Sequence, residues 1–277
     1  MEFINRALVA TTGRRFYYNS IIVKRKLTRL VKKRANNKYL FILSPPFCGS
    51  TLLNEVISSS DYVSVNFELG TREGQRLPKV EDVMFVKNRW DSSVDFDWKF
   101  IKNEWLKYWD ITKPVLLEKS PANSARAKSI MKHFAPAYFI VFYRNPYAHC
   151  ESLMRRENYS PEDAAKFAIK CLKYQKLNLE TLPQENILEL SYRELTENPE
   201  RSINKISNFL PELGDINVNQ EFNAHNYKNE KMKIMNLNKE KIRKLKDHEI
   251  QRINTVFHKA KDILSHFKYE MIESVHV

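Results

Sequence analysis

Short runs of apolar residues, most of them followed by a turn and a helical pattern, recur along the chain from residue 39. The first run, Tyr39 to Leu43, has the length of a strand that is buried on both faces. Similar runs stand at residues 115–117, 138–143 and 186–195, and an alternating segment at residues 61–67 indicates one further short strand. Strands separated by helices in this order predict an α/β fold with a central parallel sheet flanked by helices.

Helical spacing is clearest in three later segments. Ser160 and Pro161 begin one helix with a capping hydroxyl and a proline at the first position. From Asn238 onwards, apolar residues at helical spacing predict one long helix. A third helix carries an aromatic face, which we interpret as part of the core. The alternative is that these aromatic side chains form one wall of a binding site and pack against a ring of the substrate. That face consists of Trp98, Ile101, Trp105 and Trp109.

The length and cysteine content bound the class of protein. A chain of 277 residues is long enough to bury an extensive core, and no linker divides residues 39–277. No apolar run approaches the roughly eighteen residues of a membrane span, and arginines interrupt the N-terminus where a signal peptide would be apolar. Cys48, Cys150 and Cys171 are an odd number without metal-ligand spacing. We therefore expect a soluble, cytoplasmic protein without a metal site.

Positive charge is concentrated at the N-terminus. Residues 1–38 hold eleven Lys or Arg residues and one acidic residue, a net charge of +10, whereas the other 239 residues carry +3. This basic extension also contains apolar residues, so it could lie on an anionic membrane or on nucleic acid. The other interpretation is a solvated basic helix that packs on a single domain spanning residues 39–277. We expect no sequence-specific binding of nucleic acid.

The first strand runs into a loop that could bind an anion. Gly49 introduces Ser50 and Thr51, and a helix follows them. A helix N-terminus presents unpaired N–H groups and the positive end of the helix dipole, and the two hydroxyls would add donors. The lysine of an ATP- or GTP-binding P-loop is missing, which argues against nucleoside triphosphate hydrolysis. An ordinary strand-to-helix turn is the alternative.

A second anion site is predicted after the strand at residues 138–143. Arg144 follows this strand directly, and Ser152 lies eight residues later on the next helix. Arg144 offers a bidentate fork and Ser152 offers a hydroxyl from the second helical turn. Arg156 is one turn further along the same face.

Both loops resemble the nucleotide motifs of sulfotransferases that use 3'-phosphoadenosine 5'-phosphosulfate (PAPS). Pro46 and Gly49-Ser50-Thr51 match the phosphosulfate loop of that family, although Phe47 stands where the family usually has arginine or lysine. The Arg-Asn-Pro sequence at residues 144–146 resembles the 3'-phosphate motif. The resemblance assigns Cys48, Gly49, Ser50, Thr51 and Leu52 to the phosphosulfate, Arg144 and Ser152 to the 3'-phosphate, and Tyr192 to the adenine side. We add Arg156 to the predicted nucleotide site because of its place on the same helix face.

The resemblance also implies two catalytic residues, and here the tyrosylprotein branch is the most similar. Glu68 stands where that branch has its catalytic glutamate, although Leu69 and Gly70 separate it from the following Thr-Arg pair. Lys119 ends the strand at residues 115–117, at the edge where open α/β sheets bind ligands. Lys119 would stabilise negative charge on the leaving phosphate. Glu68 would act as the general base that removes the proton from the hydroxyl of the acceptor substrate. The histidine of cytosolic sulfotransferases is missing near Lys119, whereas His149 is interpreted as a surface residue.

The sequence therefore predicts a P-loop-like sulfotransferase that moves the sulfuryl group of PAPS to an acceptor hydroxyl and releases PAP, without a metal. Carbohydrates, lipids, small phenols and peptide tyrosine are all compatible acceptors. Two alternatives stay open. One is a phosphotransferase of the nucleotide-kinase kind, and the other is a non-catalytic relative that binds a nucleotide or nucleic acid.

Overall fold

The structure, a computed structural model, describes residues 2–66, 71–219, 221–223 and 231–274. At its centre lies a five-stranded, fully parallel sheet in the order β2-β3-β1-β4-β5. Its strands are β1 (Lys38–Leu43), β2 (Val63–Val65), β3 (Val115–Glu118), β4 (Ala137–Tyr143) and β5 (Ile187–Ser191). Two short antiparallel strands lie apart from it, β6 (Phe222–Asn223) and β7 (Lys231–Met232). The predicted α/β fold with a central parallel sheet is confirmed.

Helices cover both faces of the sheet, as a parallel sheet requires. The first six are α1 (Glu2–Val31), α2 (Ser50–Ile57), α3 (Val80–Met84), α4 (Trp98–Tyr108), α5 (Ala127–His133) and α6 (Pro146–Glu157). The next six are α7 (Pro161–Thr181), α8 (Tyr192–Glu197), α9 (Pro199–Phe209), α10 (Asn238–Ile242), α11 (Asp247–Phe257) and α12 (Lys261–His266).

Alternate residues of β1 enter two different parts of the core. Phe41 faces the side covered by α4 and α5, where it meets Trp105 and Phe134. Ile42 faces the other side and joins the apolar residues of α2, α8 and α9. A strand buried in this way on both faces reads as a continuous apolar run, because each side chain finds an apolar layer. This packing fixes β1 and the loop that follows it.

A third apolar cluster joins α6 and α7 to the C-terminal helices α11 and α12. Tyr147 of α6 stacks edge-on against Phe257 of α11 at 5.0 Å and donates a hydrogen bond to Asn254 at 2.5 Å. The cluster holds the C-terminal segment, residues 242–272, against α6, the helix that carries Ser152. In this way residues that are about ninety positions apart come to line one site.

Two element boundaries differ from the sequence prediction. The last sheet strand ends at Ser191, not at residue 195, because Ser191 and Glu194 form a capping box that begins α8. The helix predicted from Asn238 onwards is interrupted. It ends at Ile242, and α11 begins anew at Asp247, where the Glu249 carboxylate accepts the Lys246 N–H at 2.8 Å.

The basic N-terminal segment forms α1, whose inner face packs on α4. Tyr18 is buried in the cluster with Tyr108, and Arg25 donates to the Tyr108 carbonyl at 2.9 Å and pairs with Asp110 at 3.4 Å. Within the described residues, no helix combines the length and the apolar character that crossing a membrane needs.

The aromatic face of α4 is core. Trp98, Trp105 and Trp109 are fully buried. Trp98 and Trp105 pack on Phe134, and Trp109 packs on Trp105, which supports the packing interpretation of these residues. Trp90, outside α4, is the tryptophan that lines a cavity.

Replacing Trp98 with alanine should therefore lower the free energy of unfolding by about 3–5 kcal/mol, because it removes a large buried side chain that the surroundings cannot refill. Urea denaturation would measure the change. The matched control is Leu177→Ala on the exposed side of α7, for which we expect a change within about 0.5 kcal/mol. Equal stabilities for the two variants would contradict the burial of this face.

Candidate active site

A cavity of about 410 Å³ opens at the C-terminal edge of the sheet. Its walls come from the loops after β1, β2, β3 and β4 and from residues of α6, α8 and α10. Open α/β sheets bind ligands at this edge, because the loops that follow parallel strands converge there. The site is therefore where the strand order predicts it.

The loop after β1 forms an anion cradle in this cavity. Gly49 has a φ of +90° and caps α2, whose first turn receives no side-chain cap. The backbone N–H groups at the start of α2 are thus left for a ligand. A Cβ atom at Gly49 would lie 2.5 Å from the Tyr192 ring, so glycine is required here for two reasons, conformation and space.

Arg144, which follows β4, is held from three sides. Its Nε donates to Asn238 at 2.6 Å, its Nη1 donates to the Phe47 carbonyl at 3.4 Å, and its Cζ lies 4.0 Å from the centroid of the Tyr192 ring. Its Nη2 is buried and has no hydrogen-bond partner among the residues that the structure describes. A buried guanidinium N–H without an acceptor is costly unless a ligand supplies one. Arg144 therefore offers a fixed and unfilled donor.

Ser152 lies beside a lysine that the sequence analysis missed. Lys241 of α10 donates to the Ser152 hydroxyl at 2.7 Å and to the Glu151 carboxylate at 3.0 Å. Burial lowers the pKa of Lys241, and the hydrogen bond to Glu151 opposes that shift. Lys241 falls in the segment that was interpreted as a long core helix. No local pattern marks it, because only the packing of α10 on α6 brings it to Ser152.

Lys119 lies on the other side of the anion cradle, directly after β3. It is 1% exposed, and its Nζ lies 3.1 Å from a Glu73 oxygen and 3.3 Å from the Thr51 hydroxyl. Burial lowers the pKa of Lys119, and the neighbouring Glu73 carboxylate opposes that shift. The Glu73 carboxylate and the Thr51 hydroxyl thus hold the Lys119 ammonium beside the anion cradle.

Glu73 is the carboxylate that the described structure places beside Lys119, whereas Glu68 lies outside the described residues. Glu73 is buried, lines the cavity, accepts from Gln75 at 2.6 Å and pairs with Arg76 at 3.5 Å. Glu73 is not among the predicted site residues, because the resemblance indicates a glutamate five residues earlier. The signal available was the Thr-Arg-Glu run itself, which ends in a carboxylate.

The turn that carries Glu73 is anchored from below by Glu118. The Glu118 carboxylate accepts from the Gly74 N–H at 3.2 Å and from Asn66 at 2.7 Å, while the Trp105 indole donates to the Gly74 carbonyl at 3.2 Å. A Cβ atom at Gly74 would overlap all three side chains. Burial raises the pKa of Glu118 to about 7, and hydrogen bonds from Ser120 and Asn66 oppose that shift.

Phe47 is placed so that a cation covers its ring. Its backbone has a φ of +61°, its ring lines the cavity, and the Arg156 guanidinium lies 5.3 Å from the ring centroid. Arg156 also lines the cavity. Arg72 is directed elsewhere, because it pairs with Glu55 at 3.5 Å and donates to Ser58 at 2.9 Å.

Other candidate residues fall into two groups. Leu52 and Tyr192 line the cavity, and the Tyr192 hydroxyl donates to the Met235 carbonyl at 3.0 Å. The Cys48 thiol is buried, which raises its pKa to about 12 and leaves it unsuited to nucleophilic chemistry.

The surface interpretation of His149 was wrong. His149 is buried under the cradle, and burial, with Arg144 nearby, lowers its pKa to about 3.

The outer end of the cavity is aromatic and basic. The Arg89 guanidinium lies 4.4 Å from the Phe85 ring centroid and 5.3 Å from that of Trp90. The Arg76 guanidinium lies 5.3 Å from the Phe85 ring centroid. All four side chains line the same cavity as Glu73.

Across the described residues, no group of three or more His, Cys, Asp or Glu side chains lies close enough to hold a metal ion.

Comparison with known proteins gives a consistent result. A family model described as "Sulfotransferase family" matches residues 40–212. The fold is similar to that of a sulfotransferase domain from the curacin biosynthetic pathway, at a TM-score of 0.51 and 18% identity, over 86% of this chain and 100% of that one. It is also similar to the sulfotransferase STF9 from Mycobacterium avium, at a TM-score of 0.50 and 14% identity, over 94% and 83% of the two chains. No curated protein sequence matches.

The raised pKa of Glu118 predicts how stability depends on pH. The folded protein binds a proton at Glu118 up to a pH of about 7, whereas the unfolded chain releases it at about 4.5. The free energy of unfolding should therefore fall as pH rises between these values, and this component should vanish in Glu118→Gln. Urea denaturation across that pH range would measure it.

The matched control is Glu185→Gln, which changes an exposed carboxylate. Its pH profile should follow that of the unmutated protein. A Glu118→Gln variant with an unchanged pH slope would show that Glu118 does not titrate in this range.

Proposed function

This chain belongs to the sulfotransferase family, and on that premise we propose that it transfers the sulfuryl group of PAPS to an acceptor hydroxyl. The observation that carries the choice of nucleotide is the buried Arg144 Nη2. It has no hydrogen-bond partner in the described part of the chain, and Arg144 lines a cavity together with Ser152 and Lys241. An acceptor-rich dianion such as the 3'-phosphate would satisfy this donor and balance both cations. The fit of the residues to PAPS thus rests on an unfilled donor and not on the motif alone.

The nucleotide is assigned to two parts of the cavity. Arg144, Ser152 and Lys241 would bind the 3'-phosphate, and Arg156 would contribute positive charge beside Phe47. The Tyr192 ring, which covers Gly49 and the Arg144 guanidinium, would form the adenine side. The cradle from Cys48 to Leu52 would bind the 5'-phosphosulfate through backbone N–H groups and the hydroxyls of Ser50 and Thr51.

When bound, PAPS supplies an activated sulfuryl group for in-line displacement by the acceptor oxygen. The contribution of the protein to such a transfer is position and charge. Lys119 is held by Thr51 and Glu73 at the end of the cradle, so its ammonium would stabilise negative charge on the leaving phosphate. Its burial strengthens this interaction, because water is excluded there.

We propose Glu73 as the group that accepts the proton of the acceptor hydroxyl. Its carboxylate lines the cavity and contacts Lys119, and Gln75 and Arg76 fix its orientation. A general base must lie within reach of the proton that it removes, and Glu73 lies at the end of the cradle where an acceptor would meet the sulfuryl group. Glu68, which the resemblance to the tyrosylprotein branch indicates, is the second candidate.

The acceptor would enter past Phe85, Arg89 and Trp90. Two aromatic rings offer a surface for a flat or apolar portion of the acceptor. Arg76 and Arg89 would favour acceptors that carry an anionic group over neutral ones.

The three cysteines are buried free thiols, which supports the cytoplasmic location that their odd number predicts.

The first prediction concerns nucleotide recognition. PAP should bind more tightly than 5'-AMP, because only PAP carries the phosphate that Arg144, Ser152 and Lys241 would contact. Arg144→Ala or Lys241→Ala should each remove about 1.5–3 kcal/mol of that preference, the usual value of a hydrogen bond to a charged group. Isothermal titration calorimetry with PAP, 5'-AMP and ATP would measure it.

The matched control is Arg193→Ala, since Arg193 follows Tyr192 but pairs with Glu197 outside the cavity. It should bind PAP as the unmutated protein does. Equal affinities for PAP and 5'-AMP would refute the 3'-phosphate site, and a clear preference for ATP would favour a phosphotransferase.

The second prediction separates the two glutamates. Glu73→Gln and Lys119→Ala should each lower kcat by about 10²–10³, the usual cost of losing a group that acts mainly in the transition state. Glu73→Gln should change PAP affinity little, because Glu73 is assigned to neither phosphate of PAP. Lys119→Ala should weaken PAP binding less than it lowers kcat, because the leaving phosphate gains negative charge in the transition state. Single-turnover transfer of labelled sulfate, with an acceptor found among neutral and anionic hydroxyl compounds, would measure the rates.

Glu68→Gln is the informative comparison and should retain most of the activity. The opposite result, an inactive Glu68→Gln and an active Glu73→Gln, would assign the proton transfer to Glu68. Full activity of Lys119→Ala would show that another cation stabilises the leaving group.

A further inference from the structure

Helix α1 has an inner and an outer face, and the domain uses only the inner one. Tyr18, Ile21, Ile22 and Arg25 face α4 and its surroundings, where they are buried or half-buried. With 3.6 residues per turn, the opposite side of the helix contains residues offset by about half a turn from these. That opposite side faces away from the protein.

Large apolar side chains occupy this outward side. We call them the outer strip, and their exposed fractions run from 55% to 82%. They are Phe16 (79%), Val23 (55%), Leu27 (59%), Leu30 (81%) and Val31 (82%). Their spacing of three, four and seven residues places them along one line of the helix, about 22 Å long at 1.5 Å per residue. Contiguous exposed apolar surface of this kind marks an interaction site.

Lysines border the outer strip on both sides. Lys24 and Lys26 precede and follow Arg25, so they project to the two flanks of the strip, and both are exposed. Lys32, Lys33 and Arg34 are exposed at its C-terminal end. The sequence contains no Asp or Glu from residue 3 to residue 54, so no acidic residue of this segment neutralises these cations.

We propose that the outer strip of α1 docks this protein on an anionic membrane surface, with the helix lying in the plane of the interface. A helix with an apolar stripe flanked by lysines is suited to this position, since the apolar side chains enter the acyl boundary while the lysines reach the headgroups. Each lysine near an anionic surface adds to binding electrostatically.

The charge pattern of the outer strip favours an anionic membrane over two other binding partners, a second copy of the chain and nucleic acid. A second copy of the chain docked on the strip would bring lysine flanks against lysine flanks, and like charges repel. Nucleic acid would accept the lysines but would leave five apolar side chains in contact with phosphate and water, which gains nothing from burial. An anionic bilayer satisfies both the apolar strip and its basic border.

Cosedimentation of the full-length protein with vesicles tests this proposal. Vesicles of phosphatidylcholine mixed with phosphatidylglycerol should bind the protein, and vesicles of phosphatidylcholine alone should bind it much more weakly. The double variant Val23→Glu, Leu27→Glu should lower the partition coefficient by at least about tenfold, because it replaces two inserted apolar groups with anions. Lys24→Gln with Lys26→Gln should reduce both the binding and its dependence on salt.

Leu177→Glu with Lys173→Glu is the matched control. It makes comparable changes on the exposed side of α7, where Leu177 is 48% exposed, and should bind vesicles as the unmutated protein does. Circular dichroism would confirm that every variant is folded. Because no step depends on turnover or on PAP, the result is independent of the proposed function.

Three outcomes would overturn the proposal. One is a lack of binding to the anionic vesicles, and another is equal binding by the Val23→Glu, Leu27→Glu variant. The third is a stable dimer in analytical ultracentrifugation that this variant dissociates, since the strip would then be an interface between two copies of the chain.

Discussion

The contact between Arg144 and the Tyr192 ring organises the candidate site. Arg144 follows β4 and Tyr192 begins α8, while Gly49 lies under the same ring and Asn238 holds the guanidinium from the C-terminal region. Four distant segments thus meet at one cation and one aromatic face. The arrangement is rigid, because Arg144 lies between buried neighbours and the space under the ring admits only glycine. A preorganised donor of this kind costs little reorganisation when an anion binds.

A second constraint is the burial of charge beside the cradle. Lys119 and Glu73 are both buried, and a pair of this kind is stable only when its partners and their hydrogen bonds are well placed. Here Thr51 and Gln75 provide those bonds, and Glu118 anchors the turn through Gly74. The buried carboxylate of Glu118 therefore fixes the backbone that carries Glu73, the proposed general base. Removing Glu73 would leave the buried Lys119 ammonium without this carboxylate.

Phe47 shows how the site can depart from the family pattern and keep its charge. A phenylalanine replaces the usual basic residue in the cradle, yet the Arg156 guanidinium lies over its ring and within the same cavity. An aromatic face attracts a cation, so the phenylalanine can hold in place a positive charge that it does not carry. Lys241 adds a second cation that the motif does not include. Positive charge in this site thus comes from helices α6 and α10 more than from the loop.

The sequence by itself determined the parallel α/β fold, the strand-to-helix loop at Gly49, the positions of Arg144 and Lys119 directly after strands, and the position of Ser152 on the helix after Arg144. Local spacing carries this information, because apolar period and turn residues depend on near neighbours. Only the tertiary structure decided that Lys241 meets Ser152, that Glu73 meets Lys119 and that His149 is buried. It also ended the last strand at Ser191, where a side-chain cap prevailed over apolar periodicity. Periodicity indicates which face of a helix or strand is buried. Which polar side chains pair with each other depends on packing between segments that are far apart in the chain, so no local sequence pattern predicts it.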